Sequence, residues 1–226
     1  MLEKRNFAEG EFYHLYNRGN NKQKIFFDEK DYDRFVKLLY LCNSSKRINF
    51  RNDIIEKDID AYEFDREEPI LSIGAWVLMS NHFHLYVTIS PRSDLGVEGI
   101  SNFAQKLCTG YSMYVNRRHS RTGTLFEGRF KSTHIKSDRQ AKYLFSYIHL
   151  NPVKIINPAW KTGKIANKGK TLEFLNNYKW SSYSDYRNKK RKESIIINPE
   201  EFPDYFGNSK IFDKEIFDWL SFHDDE

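Results

Sequence analysis

The chain has little sulfur and no long apolar run. Its 226 residues include two cysteines, Cys42 and Cys108. Both fall within helical patterns, so neither a disulfide framework nor a cysteine-based metal site is expected. No apolar stretch approaches the ~20 residues that span a bilayer, which excludes a helical membrane protein. Met1 to Asn6 lacks the apolar core of a secretory signal, so a cytoplasmic protein is expected. Negative charge is also in short supply. The 36 Lys and Arg outnumber 31 Asp and Glu, for a net charge of +5. The pI is about 9.0, and this balance favours a polyanionic partner. Internal repeats are absent.

What remains is enough to fold. Hydrophobic residues make up 39% of the chain and aromatics 16%, so wholesale disorder is excluded. The mean hydropathy of −0.72 reflects 30% charged residues rather than missing apolar segments. Aromatic alternation from Glu11 to Arg18 predicts a strand ending at Gly19-Asn20. Apolar residues at three- and four-residue spacings predict a helix over Asp28 to Leu41. Lys46 to Pro69 is polar and reads as a loop or insertion. Ile70 to Met79 is nearly all apolar, as in a central strand buried on both sides. A second strand begins at His82, so the two form a tight hairpin closed by Ser80-Asn81.

A helix is expected from Leu95 to about Arg118, with Ile100, Phe103, Ala104, Leu107, Tyr111, Tyr114 and Val115 on one stripe. A Gly/basic segment leads to a strand at Lys131 to Lys136. Ser137 to Gln140 is a capping-box pattern that opens another helix, closed at Asn151-Pro152. Strand, helix, strand, strand, helix, strand, helix fits an α+β sandwich of the ferredoxin-like, split-βαβ kind. After about residue 157 the character changes, which divides the chain into 1–157 and an extension, 158–226. The extension holds a Lys/Gly loop from Lys161 to Lys170, a Trp180 to Tyr186 aromatic cluster, a basic run from Arg187 to Lys192 and an acidic tail.

The chemistry-bearing stretch is His82-Phe83-His84. On a strand both imidazoles point to one face, about 7 Å apart along the strand, and can share a metal ion. Alone, the same pattern also describes an ordinary half-buried strand. Tyr147 and Asn151 lie four apart on one helical face, on the flank of the apolar stripe opposite His149. Alone, they read as a stripe-edge aromatic and a helix C-cap. Tyr111 and Tyr114 read as core aromatics and His14 as an unpaired strand residue. His119 and His134 are weak phosphate-contact candidates.

Three ordered motifs, NHFHLYV at 81–87, GTLFEGRFKS at 123–132 and YIHLNPVK at 147–154, together resemble the single-tyrosine, HUH-type transposases of the insertion-sequence class. They are most similar to the REP-associated members, which act on single-stranded palindromic DNA. The resemblance covers about residues 7 to 155, and Trp180 to Tyr183 is similar to a later family element. Ser80 stands where many members have Pro, and Phe126 where many have Trp. The resemblance implies His82, His84 and Asn151 as ligands of Mg²⁺ or Mn²⁺ and Tyr147 as the nucleophile. It implies a 5′-phosphotyrosyl intermediate, strand rejoining without ATP, and a nucleoid-associated enzyme. Arg18, Arg117, Arg118, Arg121, Arg129 and Lys131 are the expected contacts to single-stranded or hairpin DNA. Relatives act as monomers or dimers, so a homodimer is open. The alternatives are a nucleic-acid-binding module of the same fold without turnover, and a hydrolase using the His pair to activate water.

Overall fold

The computed structural model describes residues 6–160, 167–204 and 209–221. Its four strands are β1 (Phe12–Arg18), β2 (Leu71–Met79), β3 (His82–Ile89) and β4 (Lys131–Ile135). They form one antiparallel sheet in the order β2-β3-β1-β4. Helix α1 (Glu29–Leu41) joins β1 to β2, and α2 (Gly99–Arg118) joins β3 to β4. This βαββαβ path is the α+β, split-βαβ sandwich expected from the sequence.

Alternation along β1 and β3 builds the layers. Tyr13 and Leu15 of β1, with Phe83, Leu85 and Val87 of β3, are buried with Phe35, Leu39, Phe103 and Leu107 from α1 and α2. On the opposite face Ala75, Val77, Met79 and Tyr86 pack with Ala141, Leu144, Phe145 and Ile148 of α3 (Asp138–Leu150). Leu15 pairs with Leu85 and Arg18 with His82. A one-residue slip would exchange the two faces. Gly19 follows β1 where the chain passes close to itself: a Cβ there would lie 2.1 Å from the Gln23 carbonyl oxygen.

Several expectations change on contact with this structure. β2 is not central: it lies at one end of the sheet order. It is buried because the chain beyond residue 178 covers its edge. Leu78 N donates to Trp180 O, Ser182 N to Trp76 O and Asn198 N to Ile73 O, at 2.9–3.0 Å. A sheet edge paired this way is as dry as an interior strand. Gly74 marks its bulge, where a Cβ would meet the Phe202 ring at 2.9 Å. Segment 46–69 is no bare loop: it buries Ile54 and Ala61 in the α1-side core. Arg66 anchors it, its guanidinium 4.1 Å from the Tyr40 ring and donating to Tyr40 O at 3.2 Å.

The stop expected at Asn151-Pro152 is observed: α3 ends at Leu150, with Asn151 as its C-cap. Asn151 keeps helical φ/ψ (−52°, −39°) and Pro152 caps α4 (Val153–Ile156). The steric bias against helix before proline is thus overridden, which keeps Asn151 stacked one turn beyond Tyr147. In the extension, 161–166 lie outside the described residues, and Asn167 caps a helix, α5 (Lys168–Asn177), rather than continuing a loop. After α6 (Tyr183–Tyr186) and α7 (Ser209–Ser221), residues 222–226 of the acidic tail lie outside the described residues. Leu175, Tyr183, Phe212 and Ile216 share one core with Val77 and Ile148. The chain on either side of residue 157 therefore packs as one body. The run Arg187 to Lys192 is partly tied down: Arg191 is bonded to Asp185 at 2.6 Å and Lys192 to Asp60 at 2.5 Å.

Candidate active site

Strand register assembles the site. Pairing sets Tyr16 opposite His84 and Arg18 opposite His82, so these four side chains share the face on which α3 docks. The His82 and His84 ring centroids are 5.0 Å apart, at 80° to each other. α3 begins at Ser137, whose Oγ accepts from Gln140 N at 3.3 Å. The Gln140 side chain accepts from Lys136 N at 2.8 Å, one residue further back than a capping box. That start fixes the helix phase and sets Tyr147 at the margin of the buried stripe, half-buried, with its ring 5.3 Å from that of His84. Asn151, buried at the end of the helix, donates its backbone N–H to the Tyr147 carbonyl at 2.9 Å, and its side-chain amide is near enough to influence the pKa of both His82 and Tyr147. Both imidazoles, the phenol and the amide thus form one group.

Electrostatics follow from burial. Desolvation lowers the His82 pKa to about 4, aided by the positive charge of Lys154 and opposed by the Asn151 side chain. Desolvation alone brings His14 to about 4. Both rings are therefore neutral at pH 7. Burial raises the Tyr147 pKa, and the Asn151 side chain pulls it down. The donor set can be tested against a divalent cation. Among the described residues no three His, Cys, Asp or Glu side chains form a metal-holding group. His82 and His84 do fit a shared ion: metal–nitrogen bonds of about 2.1 Å place ring centroids roughly 4–6 Å apart. A neutral imidazole at His82 needs no deprotonation to bind. With the Asn151 amide, two imidazoles make a mixed N/O set lacking the thiolates that select zinc.

Four members of this surroundings carry no signal in the sequence pattern alone. His14 is not unpaired: its Nε2 lies 2.8 Å from His84 Nδ1, and the rings stack at 4.9 Å. Tyr16 stacks on His14 at 4.7 Å. Lys154 acts electrostatically on His82. Asn81 Oδ1 lies 2.6 Å from His82 Nδ1. A groove of about 1180 Å³ runs from His14 and Tyr147 along α3 past Tyr143 and Lys142, with Glu215 and Asp218 of α7 on its other side.

The basic residues divide. Lys131 pairs with Tyr16, and hence lies on the site face. Arg18 sits opposite His82 and is ion-paired with Glu127. Arg117 and Arg129 are exposed, and Arg121 lies 5.7 Å over the Phe27 ring. Arg118 is committed within the protein: it holds Asp28 at 2.6 Å and the buried Asp31 at 2.5 Å. It locks the start of α1, so the guanidinium expected at DNA is engaged with carboxylates inside the protein. His119 is bonded to Asp31 at 3.0 Å and His134 to Glu11 at 2.6 Å, so both candidate phosphate contacts are engaged with carboxylates. Tyr111 is core, its hydroxyl donating to Ile25 O at 2.6 Å.

Fold and site together define an α+β sandwich with a buried histidine–tyrosine–amide cluster on one face of its sheet. No family model and no curated protein matches the chain. Among solved structures it is similar to a REP-associated tyrosine transposase bound to a REP hairpin, at 12% identity over 85% of this chain and 90% of that one, with a TM-score of 0.49. A protein of Deinococcus radiodurans assigned as a transposase is similar at 15% identity, over 63% of this chain and 92% of that one, with a TM-score of 0.34. The tRNA(His) guanylyltransferase of Saccharomyces cerevisiae is similar at 11% identity, over 91% and 86% of the two chains, with a TM-score of 0.37. All three are distant, and the fold is defined by the chain's own strand order. No helix is long and apolar enough to cross a membrane among the described residues.

Proposed function

We propose that this chain is a metal-dependent DNA nickase and strand transferase of the tyrosine-transposase type, acting on single-stranded or hairpin DNA. The observation that carries the reading is the clustering of His82, His84 and Tyr147 on one face, with the His84 ring centroid 5.0 Å from that of His82 and 5.3 Å from that of Tyr147. It joins the nucleophile to the imidazoles that the motif resemblance gives as metal ligands. Tyr147 Oη attacks the phosphorus of a phosphodiester. The phenolic oxygen–phosphorus bond forms as the phosphorus–O3′ bond breaks, leaving a 5′-phosphotyrosyl link and a free 3′-OH. The phenol gives up its proton and the departing oxygen takes one up. The phosphodiester count is unchanged, so the reverse attack rejoins strands without ATP.

Burial keeps the Tyr147 hydroxyl protonated at rest, so its proton leaves only as attack proceeds. A Mg²⁺ or Mn²⁺ ion held by His82, His84 and Asn151 would act as a Lewis acid on the scissile phosphate. These three ligands bring no negative charge, so binding of the ion and of a DNA phosphate should reinforce each other. Arg18, Lys131 and Lys154 offer positive charge beside the site. Arg117, Arg121 and Arg129 would extend the contact along the backbone, and the 47%-exposed Tyr143 would offer a ring for base stacking.

The test is incubation with labelled hairpin DNA and Mn²⁺. Wild type should form a covalent protein–DNA adduct and Tyr147→Phe none. An adduct that persists in Tyr147→Phe would contradict the assignment. Binding by both without an adduct would favour a nucleic-acid-binding module.

A further inference from the structure

The turn between β2 and β3 does more than reverse the chain. Asn81 Nδ2 donates to the Lys22 carbonyl at 2.9 Å, which identifies the opposite end of that amide as its oxygen. That oxygen, Oδ1, lies 2.6 Å from His82 Nδ1. An amide oxygen only accepts, so Nδ1 of the ring must carry the proton. In a neutral imidazole Nε2 then holds the in-plane lone pair. We infer that Asn81 is a positioning residue: it holds His82 in the Nδ1–H tautomer and leaves Nε2 as its one ligating atom.

The neighbouring imidazole shows why this is a property of Asn81 rather than of the site at large. His84 is bonded through Nδ1 to His14 Nε2 at 2.8 Å. Either ring can donate in that pair, so the bond fixes how the rings sit without fixing where the proton is. Asn81 fixes both. Its consequence for metal affinity rests on the function proposed above, because an outer hydrogen bond to a ligating imidazole sets its orientation and basicity. The tautomer does not depend on that function. Asn81 also has a purely structural bond, to Lys22, and the two roles separate chemically. Aspartate keeps the acceptor for His82 Nδ1–H and loses the donor to Lys22, whereas alanine loses both.

Long-range ¹H–¹⁵N correlation of ¹⁵N-histidine-labelled, metal-free protein at pH 7.5 reads the proton position at His82 directly. Wild type and Asn81→Asp should show a protonated Nδ1, and Asn81→Ala should shift toward Nε2–H. Titration with Mn²⁺ should show affinity about 10–100-fold weaker in Asn81→Ala and near wild type in Asn81→Asp. A wild-type His82 protonated at Nε2 overturns the inference, as does an Asn81→Asp variant that behaves like Asn81→Ala in both measurements. If Asn81→Ala does not fold, the wild-type and Asn81→Asp spectra still decide. A protein with the Nδ1–H tautomer that forms no DNA adduct refutes the proposed function and leaves the role of Asn81 intact.

Discussion

β1 and β3 carry two different surfaces on alternate residues. Toward α1 and α2 they present Tyr13, Leu15, Phe83, Leu85 and Val87, all nearly inaccessible. Toward α3 they present His14, Tyr16, Arg18, His82 and His84, where rings stack and hydrogen-bond instead of filling space. The first face gains stability from burial of apolar area. The second holds His14 and His82 neutral in a half-dry setting, which opposes stability. Because a strand has period two, adjacent residues belong to different tasks. Phe83 and its neighbours His82 and His84 should therefore fail in opposite ways.

The largest effect belongs to the chemical face. Tyr147→Phe should lower adduct formation at least about 10³-fold while leaving the thermal midpoint near wild type; a large drop in midpoint would show that the hydroxyl is structural. On the apolar face, Phe83→Ala should cost about 3–5 kcal/mol in denaturant unfolding, with adduct formation by the folded fraction retained. Loss of adduct in a still-folded Phe83→Ala would break the separation of faces. A smaller effect is expected at the start of α1. Arg118, followed by the backbone N–H groups of Asp31 and Lys30, holds the Asp28 carboxyl at about 2, below its ordinary 3.8. A depressed folded pKa stabilises above the unfolded value and is lost as pH falls through the folded one. Urea midpoints should thus fall between about pH 4 and 2, less so in Arg118→Ala; equal slopes would remove Arg118 from that role. The smallest effect concerns the thiols of the apolar layer. Burial pushes Cys42 and Cys108 up to about 12, so alkylation at pH 8 should be slow in the native protein. Phe83→Ala should speed it and Tyr147→Phe should not.

Much of this was legible in the sequence where a local pattern decides it. Alternation gave β1 and β3, periodicity gave α1, α2 and α3, and the i, i+4 spacing put Tyr147 and Asn151 on one face. Long-range pairing was not legible. His14 and His84 are 70 residues apart, and only the register that sets Tyr16 against His84 brings their rings together. β2 looked central because its apolar run records burial, not position, and the chain covering its edge arrives a hundred residues later. Arg118 carried the same signal as the exposed Arg117. What distinguishes them is that Asp28 and Asp31 lie within reach across the fold. The stop at Asn151-Pro152 was legible, because α3 ends at Leu150; the short α4 beyond it, which brings Lys154 to act on His82, was not.

The central claim is that the polar face of the sheet, closed by α3, delivers one particular phenol to a phosphodiester. Mass spectrometry of the peptide that retains nucleotide, after reaction with hairpin DNA and Mn²⁺ and digestion by nuclease and protease, tests it most directly. The account predicts a single modified site at Tyr147. A nucleotide on Tyr143, Tyr16 or any other residue, or none on a protein that still cleaves the DNA, would contradict it.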